Sequence, residues 1–321
     1  MQAIRVHQTG GPEELKLETV PDPVAGQGEL VVRLAAVGVN PVDTYIRSGK
    51  NNYAPKSLPY TPGIDAAGTV ESVGAGVHKF KPGNRVYVGG SISGAYAQKA
   101  LCAESQVHPL PDNVTFEQGA AVNAPYVTAY HALFDRGCAI NGQTVLIHGA
   151  SGGVGTAAVQ WAVSAGLRVV GTAGTEAGLK LVKNQGAHDV LNHHDADYVQ
   201  KLLSLTEGKG YDVIVEMLAN VNLSNDLTLV GRCGRVVIVG SRGRIEIDPR
   251  QLMSKGSSVV GTSLMNASES ELLAIHTAIF SSLSTGAIHP IIRTTMPLAK
   301  AADAHKLVME PGALGNIILL P

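Results

Sequence analysis

The segment Val145–Gly155, VLIHGASGGVG, has the spacing richest in chemistry. A short apolar run stops at a glycine-rich turn that reads A-x-G-x-x-G from Ala150. A bare Cα at Gly152 lets an anionic ligand approach the backbone, and one at Gly155 lets a following helix pack against the strand. The helix N-terminus then offers free N–H groups and positive partial charge. That chemistry is binding of a dinucleotide pyrophosphate. Ala150 stands where the fingerprint usually has its first glycine, and such a turn can also be ligand-free. The strand before it and the strand–helix alternation after it favour the dinucleotide.

The next residues choose between cofactors. An NAD enzyme usually sets Asp or Glu about 20 residues beyond the turn, on the ribose 2′-hydroxyl. Here the second strand ends VGTAGT over Val170–Thr175, with no acid, and Glu176 is better placed to open the next helix. The missing acid points to NADP. Lys180, His193 and Arg242 could supply charge or donors to a 2′-phosphate. Each is equally an ordinary surface residue, and Lys180 taken alone reads as one. His148 follows an apolar run and reads as a hydrogen-bonded core residue. His193 and His194 form no metal site without further donors. Cys102, Cys138 and Cys233 are odd in number and form no C-x-x-C pair, which argues against a disulfide framework or zinc ribbon and for a reduced compartment.

The elements that must position these residues follow from periodicity and turn residues. The first ~120 residues read as β-rich, with runs at Glu29–Ala35, Gly68–Val73 and Arg85–Val88 punctuated by Gly/Pro turns. From Gln143 to Ser263, Val/Ile runs alternate with helical stretches. Strands are predicted at Thr144–His148, Arg168–Thr172, Asp189–Leu191, Asp212–Val215, Arg235–Val239 and Ser258–Gly261. Helices are predicted at Gly155–Ala165, Glu176–Gln185, Tyr198–Thr206, Leu223–Val230 and near Pro249–Met253. Continuous Val/Ile runs fit strands covered on both faces, hence a doubly wound parallel sheet. The tail has helical patterns at Glu269–Leu283 and Leu298–Val308 and an apolar end, Asn316–Leu320, predicted to fold back onto the first domain.

Bulk composition agrees. The chain has 321 residues, enough for two domains at roughly 100–200 each. It is 45% hydrophobic with 37 glycines, which suits small aliphatic cores and tight turns. A net charge of −1 gives no global field toward nucleic acid or anionic membrane. Met1–Arg5 lacks the apolar run of a signal peptide, and no stretch reaches the ~18 apolar residues of a span, so a cytoplasmic protein is expected.

Longer phrases carry a resemblance. GVNPVDTYIRSG (Gly38–Gly49), LPYTPGIDAAG (Leu58–Gly68), HGASGGVG (His148–Gly155), EMLANVNL (Glu216–Leu223) and VGSRG (Val239–Gly243) resemble the quinone oxidoreductase branch of the medium-chain dehydrogenase/reductases, and most of all its zeta-crystallin-like members. The likeness runs nearly the full chain. It implies an α/β protein with a GroES-like β-rich catalytic domain (1–123 and 264–321) and a Rossmann domain (124–263), nicotinamide and substrate lying between them. It implies NADPH as cofactor, a quinone as acceptor and a homo-oligomer, expected to be a tetramer. It places Tyr45 near the nicotinamide, Ser151, Gly152, Gly153 and Val154 on the pyrophosphate, and Gly174 and His193 near the adenosine phosphate, beside Thr175. It lines later strand ends with Asn222, Val239, Gly240, Ser241 and Arg242, and brings Thr262, Ser263 and Leu264 toward the nicotinamide. Some relatives carry Lys where Gly178 stands, so phosphate recognition must lean on other groups.

Zinc enzymes of the superfamily use Cys, His and Cys, at positions matching Asn40, Ile64 and Ala124. Two of these cannot ligate and a catalytic zinc needs about three protein donors, so no metal is expected. An alcohol's alkoxide needs a Lewis acid; a quinone delocalises its charge and needs less help. Tyr45 is the candidate donor to a developing oxyanion, or else packs against the ring. Asn40, Tyr53 and Tyr60 are candidate pocket residues. Asp43 and Asp65 could handle protons, with turn-capping an equal reading. The family also permits one-electron transfer that leaves a semiquinone. Two alternatives stand beside quinone reduction: an alkenal or enone reductase, and a non-catalytic role in binding AU-rich single-stranded RNA or in lens packing. No usual RNA-binding motif is present.

Overall fold

The computed structural model describes residues 1–49, 53–55 and 57–321. The chain forms two compact units, Met1–Ala124 with Phe280–Pro321, and Pro125–Ile279.

In the first unit, β1 (Gln2–Arg5) pairs antiparallel with β2 (Lys16–Thr19). Then come β3 (Glu29–Val39), β4 (Asp65–Val73), β5 (Arg85–Gly89), β6 (Lys99–Ala103) and β7 (Val107–Pro109). The second unit contributes β8 (Thr144–Ile147), β9 (Arg168–Ala173), β10 (Asp189–Asn192), β11 (Tyr211–Glu216), β12 (Val230–Ile238) and β13 (Ser258–Gly261). The chain then returns to the first unit with β14 (Ile292–Pro297) and β15 (Asn316–Leu320).

The first unit's large sheet runs β14-β15-β3-β4-β5-β7, with β6 also on β3. β15 lies antiparallel to β3, and its Ile317 and Leu319 enter the same core as Ile4, Leu30, Val32, Val37, Val88 and Tyr96. Each such aliphatic side chain is worth about 1.5–3 kcal/mol when buried, so the chain's end is held by the core that its beginning builds. A Cβ at Gly68 would lie 2.0 Å from the Arg33 carbonyl, so β3 and β4 meet at this spacing only with glycine there. The helix Pro41–Ser48, which bears Tyr45, follows β3 directly.

The second unit is a parallel sheet in the order β10-β9-β8-β11-β12-β13. Helices Gly153–Ser164, Glu176–Asn184, Tyr198–Ser204, Ala219–Leu229 and Pro249–Lys255 connect its strands. That is the doubly wound order of a dinucleotide-binding fold.

Several elements differ from the sequence reading. β12 starts at Val230, five residues before the predicted Arg235, because a register shift lies between Tyr211↔Val230 and Val213↔Arg235. The intervening bulge carries Cys233 at φ 60, and its two glycines hide the strand pattern. The helix predicted at Leu223 begins at Ala219. Elements not foreseen include β1, β2, β6, β7 and the helix Pro41–Ser48, the wide helical run from Asn123 to Arg136, in which Gly137 N–H reaches back to Ala132 O at 2.9 Å, and the partly exposed strand β14. Among the described residues no helix is long and apolar enough to cross a membrane.

Candidate functional site

Parallel strands place all their carboxyl ends on one edge, and the second unit's candidate residues gather there. Beyond β8 the chain turns through Gly149 at φ 57, Ala150 N–H donates to Thr172 O at 2.8 Å, and Gly152 opens the helix Gly153–Ser164 with no side-chain cap. A Cβ on Gly155 would lie 2.3 Å from Gly149 O and 2.7 Å from the Ala150 backbone. The helix therefore seats on the loop only through a bare Cα, and its first turn keeps free N–H groups for an anion.

β9 ends at Ala173. Thr175 Oγ1 accepts from Gly178 N–H at 3.1 Å and caps the next helix. A Cβ on Gly174 would stand 2.7 Å from His193 Nε2 and 2.8 Å from His194 Nε2, and one on Gly178 would stand 3.2 Å from Ser151 Oγ. Two imidazole nitrogens and two hydroxyls thus surround the end of the second strand, without an acid among them. Burial lowers the His193 pKa, aided by His194 and His148, so this ring is a neutral donor near pH 7. Lys180 lines a surface recess with Glu176, Lys183, His188 and Asp189, a set that includes neither Gly174 nor His193.

Further along the edge, Glu216 O accepts from Val239 N–H at 2.8 Å and Gly240 N–H at 3.3 Å. Asn222 Nδ2 donates to Glu216 Oε1 at 3.2 Å. A Cβ on Gly240 would meet Met217 O at 2.4 Å. Ser241 and Arg242 are exposed, and Arg242 N–H donates to Asn220 Oδ1 at 2.7 Å. Thr262 N–H joins Ile238 O at 3.0 Å, its buried hydroxyl has no partner, and Ser263 precedes the turn Leu264–Asn266. These residues could hold a dinucleotide: the glycine cradle has no room for side chains, the first turn of the helix Gly153–Ser164 has no side-chain cap, and the Thr262 hydroxyl has no partner.

In the first unit, Tyr45 is half-buried and its ring lies 5.7 Å from that of exposed Tyr53, tilted 42°. Tyr60 instead packs against the core. Its buried hydroxyl has no partner, and burial pushes its pKa to about 12, with Asp43 adding to the rise. Asn40 Nδ2 donates to Asp65 Oδ2 at 3.0 Å, Asn123 Nδ2 to Asp65 Oδ1 at 3.0 Å, and Ala124 N–H to Asp65 Oδ2 at 3.0 Å. Burial raises Asp65 to about 6 against these three donors. Ile64 and Ala124 have no donor side chain, and the Asn40 amide is engaged by Asp65. The residues at these positions do not fit a catalytic zinc.

The sequence did not expose the network that holds this helix. Arg47 Nη1 donates to His305 Nδ1 at 3.0 Å, which leaves the His305 proton on Nε2. Nε2–H donates to the Tyr96 hydroxyl at 3.0 Å, which donates to Asp43 Oδ2 at 3.1 Å. Asn40 N–H also donates to Asp43 Oδ2, at 2.9 Å, so Asp43 caps the helix bearing Tyr45. Burial raises Asp43 to about 7, and the charge of Asp65 adds to it. His305 falls to about 3, from burial and from Arg47. Tyr96 and His305 are 209 positions apart, beyond any local signal.

Residues 26–112 match the family described as alcohol dehydrogenase GroES-like domain, and residues 153–278 match that of zinc-binding dehydrogenase. A quinone oxidoreductase of Sus scrofa is 50% identical over 322 residues, covering 100% of this chain and 98% of that protein. The crystal structure of an Escherichia coli quinone oxidoreductase complexed with NADPH superposes with a TM-score of 0.92 at 31% identity, covering 100% of both chains. An NAD-dependent alcohol dehydrogenase superposes equally well, with a TM-score of 0.93 at 29% identity and 100% of both chains covered. The fold is therefore shared across cofactors and substrates, and the site must decide between them.

Proposed function

We propose, from the premise that this chain belongs to the quinone oxidoreductase family of the medium-chain dehydrogenase/reductases, that it oxidises NADPH with a quinone as acceptor. The observation that carries the cofactor half is the end of β9, where the bare Cα atoms of Gly174 and Gly178 let His193, His194, Ser151 and Thr175 gather closely. A 2′-phosphate finds donors there and no carboxylate to repel it. Bound NADPH supplies the reducing equivalents. The loop Ser151–Val154 and the helix it opens receive the pyrophosphate, and Asn222, Val239, Gly240, Thr262 and Ser263 line the rest of the edge.

On the acceptor side, the Tyr45 phenol donates to the oxygen that gains charge, and the Tyr45–Tyr53 ring pair offers an aromatic surface to a planar acceptor. The donor set at Asn40, Ile64 and Ala124 supports a reaction without zinc. Delocalisation of charge over a conjugated acceptor supports the same reading. Among the described residues β13 is the edge strand of its sheet, paired on one side only, and we assign it to pairing with a second copy within a homo-oligomer. Light scattering of wild type and Val260→Asp reads this: loss of association supports it, and an unchanged mass refutes it.

One acceptor panel tests the function. Steady-state rates are measured with NADPH and NADH against ortho-quinones, para-quinones and alkenals. NADPH-driven quinone turnover above alkenal turnover is expected, and an enzyme active on alkenals alone overturns the reading. Electron spin resonance during turnover separates one-electron delivery from hydride transfer.

A further inference from the structure

Glu216 ends β11 with none of its side chain exposed. Its carbonyl accepts from Val239 and Gly240 N–H. Its Oε1 accepts from Leu218 N–H and from Asn222 Nδ2. Its Oε2 is buried and has no partner. His148, directly after β8, brings Nε2 to 3.8 Å from that oxygen and donates to Asp226 Oδ1 at 3.0 Å. Asp226 Oδ2 is likewise buried and unpartnered. Thr172 Oγ1 stands 3.2 Å from His148 Nδ1. Tyr198, from the helix after β10, feels both carboxylates and accepts from Asn225 at 3.3 Å, and His193 lies beyond His148.

Two carboxylates and one imidazole in a dry site cannot all keep their solution charges. One protonated His148 balances one carboxylate, and Asp226 has it by a direct hydrogen bond. A second carboxylate charge, with an oxygen that accepts no hydrogen bond, is expensive in such a place. We propose that Glu216 is held as a neutral carboxylic acid and is the positioning residue of the cofactor edge, fixing Asn222 through its side chain and Val239–Gly240 through its carbonyl. This rests on the reading of that edge as the dinucleotide site. The titration trend agrees: burial raises Glu216 to about 7, and although burial alone would lower His148, the Asp226 hydrogen bond and the Asp226 charge raise it.

The consequence is a link between proton and cofactor. NADPH is polyanionic, and its pyrophosphate lies against the turn that begins at His148–Gly149. Bound anion disfavours ionised Glu216, so the acid's pKa rises again in the complex. Affinity is then full below about 7 and weakens as pH rises through that value. A further rise of about one pH unit in the complex would weaken alkaline binding by about tenfold.

The test is NADPH titration of wild type, Glu216→Gln and Glu216→Ala between pH 5.5 and 8.5, with thermal melting alongside. The phosphate of NADPH titrates identically in all three, so only the difference between proteins is read. Glutamine mimics the neutral acid, so Glu216→Gln keeps the acid-side affinity at pH 8.5, while Glu216→Ala binds weakly throughout. The proposal is overturned if Glu216→Gln binds as weakly as Glu216→Ala, if it shares the wild-type pH profile, or if metal analysis finds a divalent cation held by the trio. Should Glu216→Gln fail to fold, Asn222→Ala takes its place, with weaker binding expected and wild-type affinity overturning the idea. No NADPH binding by wild type at any pH would sink the cofactor reading and this proposal with it; binding without the predicted differences sinks this proposal alone.

Discussion

Gly174→Ala is a small change with a selective expected effect. The backbone there lies outside the left-handed region, so alanine is tolerated, but its methyl would stand 2.7 Å from His193 Nε2 and 2.8 Å from His194 Nε2. No real Cβ sits that close, so both rings must swing away by several tenths of an ångström or more. The 2′-phosphate then loses imidazole donors that a ribose hydroxyl needs far less. His193 is a neutral donor near pH 7, because burial lowers its pKa, so its bond falls between a neutral bond at about 0.5–1.5 kcal/mol and a charged one at about 1.5–3 kcal/mol. Taking about 1.5 kcal/mol, where the two ranges meet, NADPH affinity should fall roughly tenfold, while NADH affinity changes less than twofold. Lowering the pH protonates His193, and that charge should widen the wild-type preference for NADPH. Fluorescence titration of both cofactors reads this directly. Equal losses for NADPH and NADH, or none, would refute the placement of the phosphate. An acid at Ala173 is a poorer test: that residue is 1% exposed, so its carboxylate would be buried and harm binding of either cofactor.

Three further outcomes are expected. Gly155→Ala pushes a methyl to 2.3 Å from a backbone oxygen, which cannot turn aside, so calorimetry should record a loss of about 1–3 kcal/mol, and an unchanged Tm would mean the helix is seated otherwise. Tyr96→Phe removes a donor to ionised Asp43. A folded pKa raised to about 7 by burial gives stability that is present at low pH and lost as pH rises through 7, so this variant should melt below wild type at pH 5, where His305 Nε2–H has lost its acceptor, and further below it at pH 8.5, where ionised Asp43 has also lost a donor. Equal deficits at both pH values would show that Asp43 stays neutral. Activity with NADPH should survive a strong chelator and should not follow zinc content across preparations; a loss restored only by zinc would contradict the donor set around Asn40, Ile64 and Ala124.

Local pattern carried the second unit far. Its strands are covered on both faces, so they read as uninterrupted Val/Ile runs, and the Gly-rich turn after β8 marks the edge where a ligand meets free N–H groups. The same logic found β15 at the chain's end. It failed where pairing is irregular: the bulge at Gly231–Gly234 obscured the start of β12, the wide helical run Asn123–Arg136 matches neither standard period, and β14 is partly exposed with mixed polarity.

The sequence by itself determined the element order, the cofactor-type turn and the absence of an acid beyond it, because each depends on residues within a few positions of one another. Tertiary structure alone decided which polar groups meet. It set His193 and His194 against Gly174, drew His305 to Tyr96 and Arg47 across the first unit, and buried Glu216 with His148 and Asp226 in the second. A buried polar side chain must find a partner wherever the fold supplies one, and a partner dozens or hundreds of positions away leaves no periodic trace in the chain.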